Sequence, residues 1–436
     1  MSFTSSILIG NAGSIMEDVE FLKNHQAEGF ASRLYLASPT MHGDELRYIQ
    51  EAFATNWVST LGENIDAVES EMAKLIGRPH AVALASGTAA LHLAVRACAV
   101  QLYGAPEAGA CALVGKRAFC SDLTFAATIN PVLYEGGEPI FIDSEYETWN
   151  MDPAALERAF ALYPDVKLVV LVHLYGTPAK LRQIREICDR HGALLVEDAA
   201  ESLGSTYAGR QTGGFGDIGV ISFNGNKIIT GSCGGMVLCN TEEMMKLVRK
   251  WSTQSRDPAA WYQHSELGYN YRMSNLIAGV IRGQLPWLEE HISQKRRIYT
   301  TYRDSLRDLP LRMNPYEEGL AAPNHWLSCV LLDREAMCPQ TRTELAASYQ
   351  PQPGKACPTQ ILEAIQKLNA EGRPIWKPMH LQPFYRPYPF IAAAEGLDVS
   401  ADIFARGLCL PSDIKMTEEQ QACIVSAIRS RFAAEA

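Results

Sequence analysis

At 436 residues, with 47% hydrophobic and 20% charged side chains, the chain can bury a large core and is expected to divide into two domains. A formal charge of −10 argues against nucleic acid or an anionic membrane surface as the main partner, because both reward clustered Lys and Arg. The eleven cysteines are scattered and never spaced C-x-x-C, the pattern of reduced core thiols in a cytoplasmic protein rather than of a disulfide framework or a zinc site.

The opening "MSFTSSILIGNAGSIMEDVEF" has no positive n-region, and Gly10, Asn11 and Gly13 break its apolar part, so it does not read as a secretory signal. Residues 1–33 read as an N-terminal extension. No stretch reaches the roughly 18 uninterrupted apolar residues of a spanning helix. Seven strand-like runs follow: "AVALA" (81), "RAFCSD" (117), "EPIFID" (138), "KLVVLVHLY" (167), "ALLVED" (193), "IGVISF" (218) and "GMVLC" (235). Helical patterns such as "TAALHLAVRACAV" and "TPAKLRQIREICDRHG" separate several of them. Apolar strands alternating with helices predict an α/β fold with a mostly parallel seven-stranded sheet covered on both faces.

The link "AVQLYGAPEAGACALVGK" (99–116) is long, and its "VGKR" lacks the first glycine and the Ser/Thr of a phosphate-binding P-loop. "GGFGDIG" (213–219) precedes a strand instead of opening a helix, so it reads as a turn and not as a dinucleotide fingerprint. Helical periodicity over 273–309 is interrupted at Pro286. Beyond about 310 the chain is proline-rich, with "PQPGKACP" (351–358) a loop, and predicts a smaller α+β domain. The expected division is a large domain over 34–290 and a small one over 291–436.

Three features carry chemistry. In "ALASGTAALHLAV" a strand runs through Ser86-Gly87-Thr88 into a helix, which suits either a phosphate at the helix N-terminus or a plain turn capped by Thr88. In "LLVEDAAESLGS" a strand ends in Glu197-Asp198, either a ligand-facing carboxylate or a cap. "VISFNGNKIITGSCGGMVLC" places Lys227 alone in an otherwise uncharged run, although an isolated buried ammonium is costly. Asp198 and Lys227 stand 29 positions apart (227 − 198), each near the end of a strand-like run, and can face one pocket. Pyridoxal 5′-phosphate needs this combination: a lysine for a Schiff base, an acid against its ring nitrogen and a phosphate cup.

The runs "EDAAE" (197–201), "SFNGNKIITGSCGG" (222–235), "STQSRD" (252–257), "LGYNYRMSN" (267–275), "NHWLS" (324–328) and "RPIWKPMH" (373–380) resemble the DegT/DnrJ/EryC1/StrS sugar aminotransferases, from about Leu34 to near the C-terminus. Within that family they look most like enzymes that aminate C4 of a UDP-linked 4-keto-6-deoxy-N-acetylhexosamine on the bacillosamine route. The resemblance implies fold type I with pyridoxal phosphate, L-glutamate and a nucleotide-linked keto sugar as substrates, and a homodimer with shared active sites. By position, it makes Lys227 the Schiff-base lysine, Asp198 the partner of the ring nitrogen, and Phe125 the aromatic stacked on the ring. Gly87, Thr88 and Ser222 match phosphate contacts, Asn270 a phosphate contact from the other subunit, and Glu201 a residue near the cofactor's 3-hydroxyl. Trp57, His325, Arg373 and His380 fall in stretches that resemble substrate-facing loops. Relatives with histidine at the lysine position are dehydratases, and Lys227 argues against that activity. The long 99–116 link departs from the family pattern.

Overall fold

The computed structural model describes residues 29–107 and 109–433; most of the 1–33 extension and the last three residues lie outside them. All seven expected strands form, as His80–Leu84, Arg117–Ser121, Glu138–Ile142, Leu168–Val172, Leu194–Asp198, Ile218–Ser222 and Gly235–Cys239. An eighth short strand, Phe390–Ile391, adds to the edge beyond Glu138–Ile142. It comes from the C-terminal third, and two paired residues are too few to show as a periodic run.

Gly235–Cys239 runs antiparallel to both its neighbours, and the other pairings are parallel. Register sets Val172 opposite Asp198 and Asp198 opposite Val220, so the C-terminal ends of the central strands form one edge. Parallel strands need helices on both faces, which is why these strands are buried throughout. Helix Gly87–Tyr103, with twelve of its seventeen residues buried, covers one of those faces. The interruption at Pro286 is a 3₁₀ turn, Leu285–Trp287, between helices Asn275–Gln284 and Leu288–Leu306.

A four-stranded antiparallel sheet of Leu311–Met313, Cys329–Leu332, Gly407–Cys409 and Arg373–Pro374 forms a second layer. Its core includes residues of helices Leu288–Leu306, Pro358–Lys367 and Glu418–Arg429, together with Phe30 and Leu34. Phe30 therefore joins the C-terminal core, while Phe390–Ile391 returns to the large sheet. No helix of the described residues is long and apolar enough to cross a membrane.

Candidate active site

Adjacent residues of a strand face opposite ways, and Glu197 and Asp198 use that alternation for separate jobs. Glu197 turns back into the protein. His173 Nε2 lies 2.8 Å from its Oε1, and the amides of Gly213, Phe215 and Gly216 donate to its carboxylate at 2.5, 2.7 and 2.8 Å. Against the cost of burial, these donors hold its pKa below the ordinary carboxylate value, and "GGFGDIG" is the turn that wraps it.

Asp198 lines a cavity of about 420 Å³ at the C-terminal edge of the sheet. The Thr128 hydroxyl donates to its Oδ2 at 2.7 Å, the Ala200 amide to its Oδ1 at 3.1 Å, and Thr124 meets Thr128 at 2.6 Å. Burial pushes the Asp198 carboxyl up in pKa, while Thr128, Ala200 and Lys227 pull it down. Among the described residues no cationic side chain reaches ion-pair distance of it. A fully buried carboxylate with hydrogen bonds but no countercharge suits a ligand that brings a protonated ring nitrogen.

At one end of the cavity the Ser86 hydroxyl caps helix Gly87–Tyr103 by accepting from the Ala89 amide at 3.1 Å. The cap is Ser86, not Thr88. Amides in a first helical turn have no intrahelical acceptor, and Gly87 and Thr88 both line the cavity, so their N–H groups are available to an anion there. A Cβ on Gly87 would stand 2.8 Å from Ser222 Cβ, which only glycine avoids, and this close approach brings the Ser222 hydroxyl to the same corner.

Lys227 follows strand Ile218–Ser222 in a turn closed by its own amide donating to the Asn224 carbonyl at 2.9 Å. Its ammonium lies 3.7 Å from Glu201 Oε1 and 4.1 Å from the centre of the Trp326 ring. Trp326 Nε1 donates to the Asn226 carbonyl at 2.8 Å, clamping the Lys227 turn. Asn324 supports both partners: its Nδ2 donates to the carbonyls of Glu201 and Leu203, and its Oδ1 accepts from the Trp326 amide. Glu201 Oε2 accepts from the Tyr175 amide at 2.7 Å, and burial raises its pKa. Lys295, fully buried, donates to the carbonyls of Trp326 and Ser412.

Phe125 is half-exposed beside Trp376, ring centres 5.3 Å apart, and the two form one wall of the cavity. Arg373 also lines it, with its guanidinium on Glu371 Oε1 at 2.6 Å. The structure thus gathers Gly87, Thr88, Phe125, Asp198, Glu201, Ser222, Lys227 and Arg373 around one cavity.

Four other expected site residues stand apart from it. His325 does not line the cavity: it is buried between Tyr299 and Tyr316, and burial next to Arg296 and Arg303 lowers its pKa to about 4. His380 is likewise turned away, bonded to Asp122 and Asp398 and stacked on Phe390. Trp57 and Asn270 are exposed and line no part of this chain's cavity. In both histidine motifs a nearby tryptophan, Trp326 or Trp376, reaches the cavity where the histidine does not, and in the second motif Arg373 reaches it too. Thr128, three positions after Phe125 across the 3₁₀ turn Ala126–Thr128, was also missed. A hydroxyl one such turn from a stacking aromatic was the only sequence signal for it.

A lysine turn, a buried carboxylate awaiting a cation and a helix N-terminus converging at the carboxyl edge of this sheet define a pyridoxal phosphate-dependent transaminase, and the cavity's donors and acceptor fit that cofactor. The model of the DegT/DnrJ/EryC1/StrS aminotransferase family matches residues 39–429, and the chain belongs to that family. EpsN of Bacillus subtilis, which carries the name of a pyridoxal phosphate-dependent aminotransferase, is 41% identical over 92% of this chain and 96% of its own. A GDP-perosamine synthase of Caulobacter vibrioides is 32% identical over 91% of this chain and 97% of its own. The crystal structure of a family aminotransferase from Brucella abortus superposes with a TM-score of 0.76 at 24% identity, covering 89% of this chain and 95% of that one. The protein is therefore a sugar aminotransferase acting on nucleotide sugars, with pyridoxal phosphate as cofactor.

Proposed function

We propose that the chain moves the amino group of L-glutamate to C4 of a UDP-linked 4-keto-6-deoxy-N-acetylhexosamine, giving the UDP-4-amino sugar and 2-oxoglutarate. The observation that carries the transfer chemistry is that Lys227 and Asp198 line one cavity. The substrate rests on the runs "SFNGNKIIT" and "RPIWKPMH", which resemble the C4 aminotransferases of the bacillosamine route.

Pyridoxal phosphate, when bound, supplies an electron-accepting ring and the carbon that carries nitrogen between the two substrates. Lys227 Nζ would hold it, and the free amine would be the base for the Cα proton of glutamate. In the other half-reaction the same Nζ delivers a proton to the carbon that receives nitrogen. Asp198, ionised and fixed by Thr128 and Ala200, keeps the ring nitrogen protonated. Gly87, Thr88 and Ser222 would hold the phosphate, and Glu201 would share a hydrogen bond with the ring hydroxyl. Phe125 would stack on the ring, and the Trp326 and Trp376 rings would help keep water from the reacting atoms. Arg373, at the cavity wall, is placed to meet an anionic part of a substrate.

The division into 34–290, holding the cofactor, and 291–436, closing over it, is part of this reading. So are a cytoplasmic location and a homodimer in which Asn270 serves the partner's site. Exposure of Asn270 outside its own chain's cavity supports the last point.

Glutamate with a panel of UDP-, dTDP- and GDP-linked keto sugars, with products located by NMR, tests the substrate. The UDP-4-keto sugar should have the highest kcat/KM. A wide preference for a GDP-linked 4-keto sugar, in line with the Caulobacter relative, or amination at C3, would overturn it.

A further inference from the structure

His380 is held on every side. Its Nδ1 lies 2.7 Å from Asp122 Oδ2 and its Nε2 lies 3.0 Å from Asp398 Oδ2. Its own amide donates to Asp122 Oδ1 and the Met379 amide to the Asp122 carbonyl, each at 2.9 Å. Asp122 is fully buried directly after strand Arg117–Ser121. Asp398 caps helix Val399–Arg406, accepting from the Ala401 amide at 2.9 Å, and the Ser400 hydroxyl reaches back to Asp122 Oδ2 at 2.5 Å. A neutral imidazole has one N–H and can donate to only one carboxylate, so His380 between two of them is an imidazolium.

We propose that the Asp122–His380–Asp398 bridge is a positioning latch for the active-site wall, tying the loop that carries Phe125 to the segment that carries Arg373 and Trp376. Asp122 is three positions from Phe125 (125 − 122), and His380 four from Trp376 (380 − 376). With so short a lever on each side, the bridge sets how the Phe125 and Trp376 rings meet at 5.3 Å, and with it the shape of the wall that a substrate binds against. The helix cap at Asp398 brings in a third element, so one side chain locks the large sheet, the small-sheet segment and helix Val399–Arg406 together.

The groups facing His380 are Asp122 from the strand end and Asp398 from the helix cap, with the Ser400 hydroxyl on Asp122 and the uncharged Phe390 ring stacked at 4.0 Å. The nearby Asp143 carboxylate is occupied by the amides of Ser144, Ala393, Val399 and Ser400. Burial opposes the charge on His380, but the two carboxylates raise its pKa to about 9. Deprotonation leaves one imidazole N–H between the two carboxylates, and the wall loosens.

The latch rests on the cavity being the substrate site, and two readouts separate them. The first is Trp376 fluorescence, taken as the full-length wild type minus Trp376→Phe, with and without pyridoxal phosphate. It should be constant from pH 7 to 8 and shift with a midpoint near 9. Asp398→Asn, nearly isosteric, should move that midpoint down by about one unit or more, because one of the two stabilising charges is gone. The second is kinetic: His380→Gln at pH 7.5 should raise KM for the keto-sugar nucleotide about tenfold while kcat changes less than about threefold. If His380→Gln does not fold, Asp398→Asn carries the kinetic arm, with KM rising at its lowered midpoint. Trp376 emission unchanged to pH 10, or a midpoint indifferent to Asp398→Asn, overturns the latch. Should no nucleotide sugar react, the functional reading fails and the fluorescence arm still decides the latch.

Discussion

Glu201 Oε1 stands 3.7 Å from Lys227 Nζ, and Glu201 is itself fixed from behind by the Tyr175 amide at 2.7 Å. Tyr175 adopts φ 54°, a left-handed conformation uncommon for a side-chain-bearing residue, and its hydroxyl accepts from the Trp376 amide at 2.9 Å. The lysine seen in isolation in the sequence is therefore answered by a carboxylate that a strained turn aims at it. The Trp326 ring on its other side adds a cation–π contact.

Lys227→Ala should abolish amino transfer while the thermal midpoint moves only a few degrees, because the lysine head is partly open to the cavity and its loss leaves the Trp326 clamp in place. Borohydride reduction of the wild type with pyridoxal phosphate should leave a cofactor-sized mass on the peptide containing Lys227. The variant should show none. Near wild-type turnover in the variant would refute the role given to Lys227.

Asp198→Asn should slow the half-reaction with glutamate by about a hundredfold or more, the scale of losing a charged partner worth about 3 kcal/mol. Thr128→Val removes only the hydroxyl that holds Asp198 Oδ2, and a hydrogen bond to a charged group is worth about 1.5–2 kcal/mol, so roughly a ten- to thirtyfold loss is expected. Stopped-flow absorbance of the glutamate half-reaction measures both. Equal rates in wild type and Thr128→Val would show that the hydrogen bond does not act on the chemistry.

His325 gives the chain an acid-labile core. Its pKa is about 4 in the folded chain against 6.5 unfolded, so both states are neutral above pH 6.5 and no stability is lost there. As pH falls from 6.5 towards 4, only the unfolded state takes up the proton, and stability drops by roughly 3 kcal/mol. A His325→Phe chain should lose much less over that window in urea titrations, with KM for both substrates unchanged. A raised KM would return His325 to the substrate site.

Asn270 supplies the test of a shared site. An Asn270→Asp chain sets a carboxylate against the partner's cofactor phosphate and should be nearly inactive, as should Lys227→Ala. Co-expressed, a mixed dimer has one site with both defects and one with neither. Random pairing makes about half the dimers mixed and leaves about a quarter of all sites intact. Activity near that fraction is the expected result; verified heterodimers as inactive as either parent would place Asn270 outside the partner's site.

The seven strands, the strand end that carries Asp198 and the turn after Ile218–Ser222 that carries Lys227 were legible because apolar runs bounded by turns are local properties of the chain. The Ser86-Gly87-Thr88 junction was legible for the same reason, although which hydroxyl capped the helix was not: Ser86 and Thr88 compete for one turn, and the backbone at Ser86, extended at φ −160°, decides it. The eighth strand escaped because its two residues pair with a strand nearly 250 positions earlier, 390 − 141 for Phe390 and Phe141.

Sequence by itself thus determined the α/β class, the order of the strands along the chain and the lysine and carboxylate that face one cavity. Which side chain of "NHWLS" and of "RPIWKPMH" enters that cavity was decided only by the tertiary structure. In each motif a histidine and a tryptophan lie within a few positions of each other, and both are plausible contacts to a sugar nucleotide. Tyr299 and Tyr316 enclose His325, Asp122 and Asp398 hold His380, and Asp122 in particular stands 258 positions from the histidine it holds. A side chain's direction is set by the partners that satisfy it, and partners distant in sequence leave no local pattern to read.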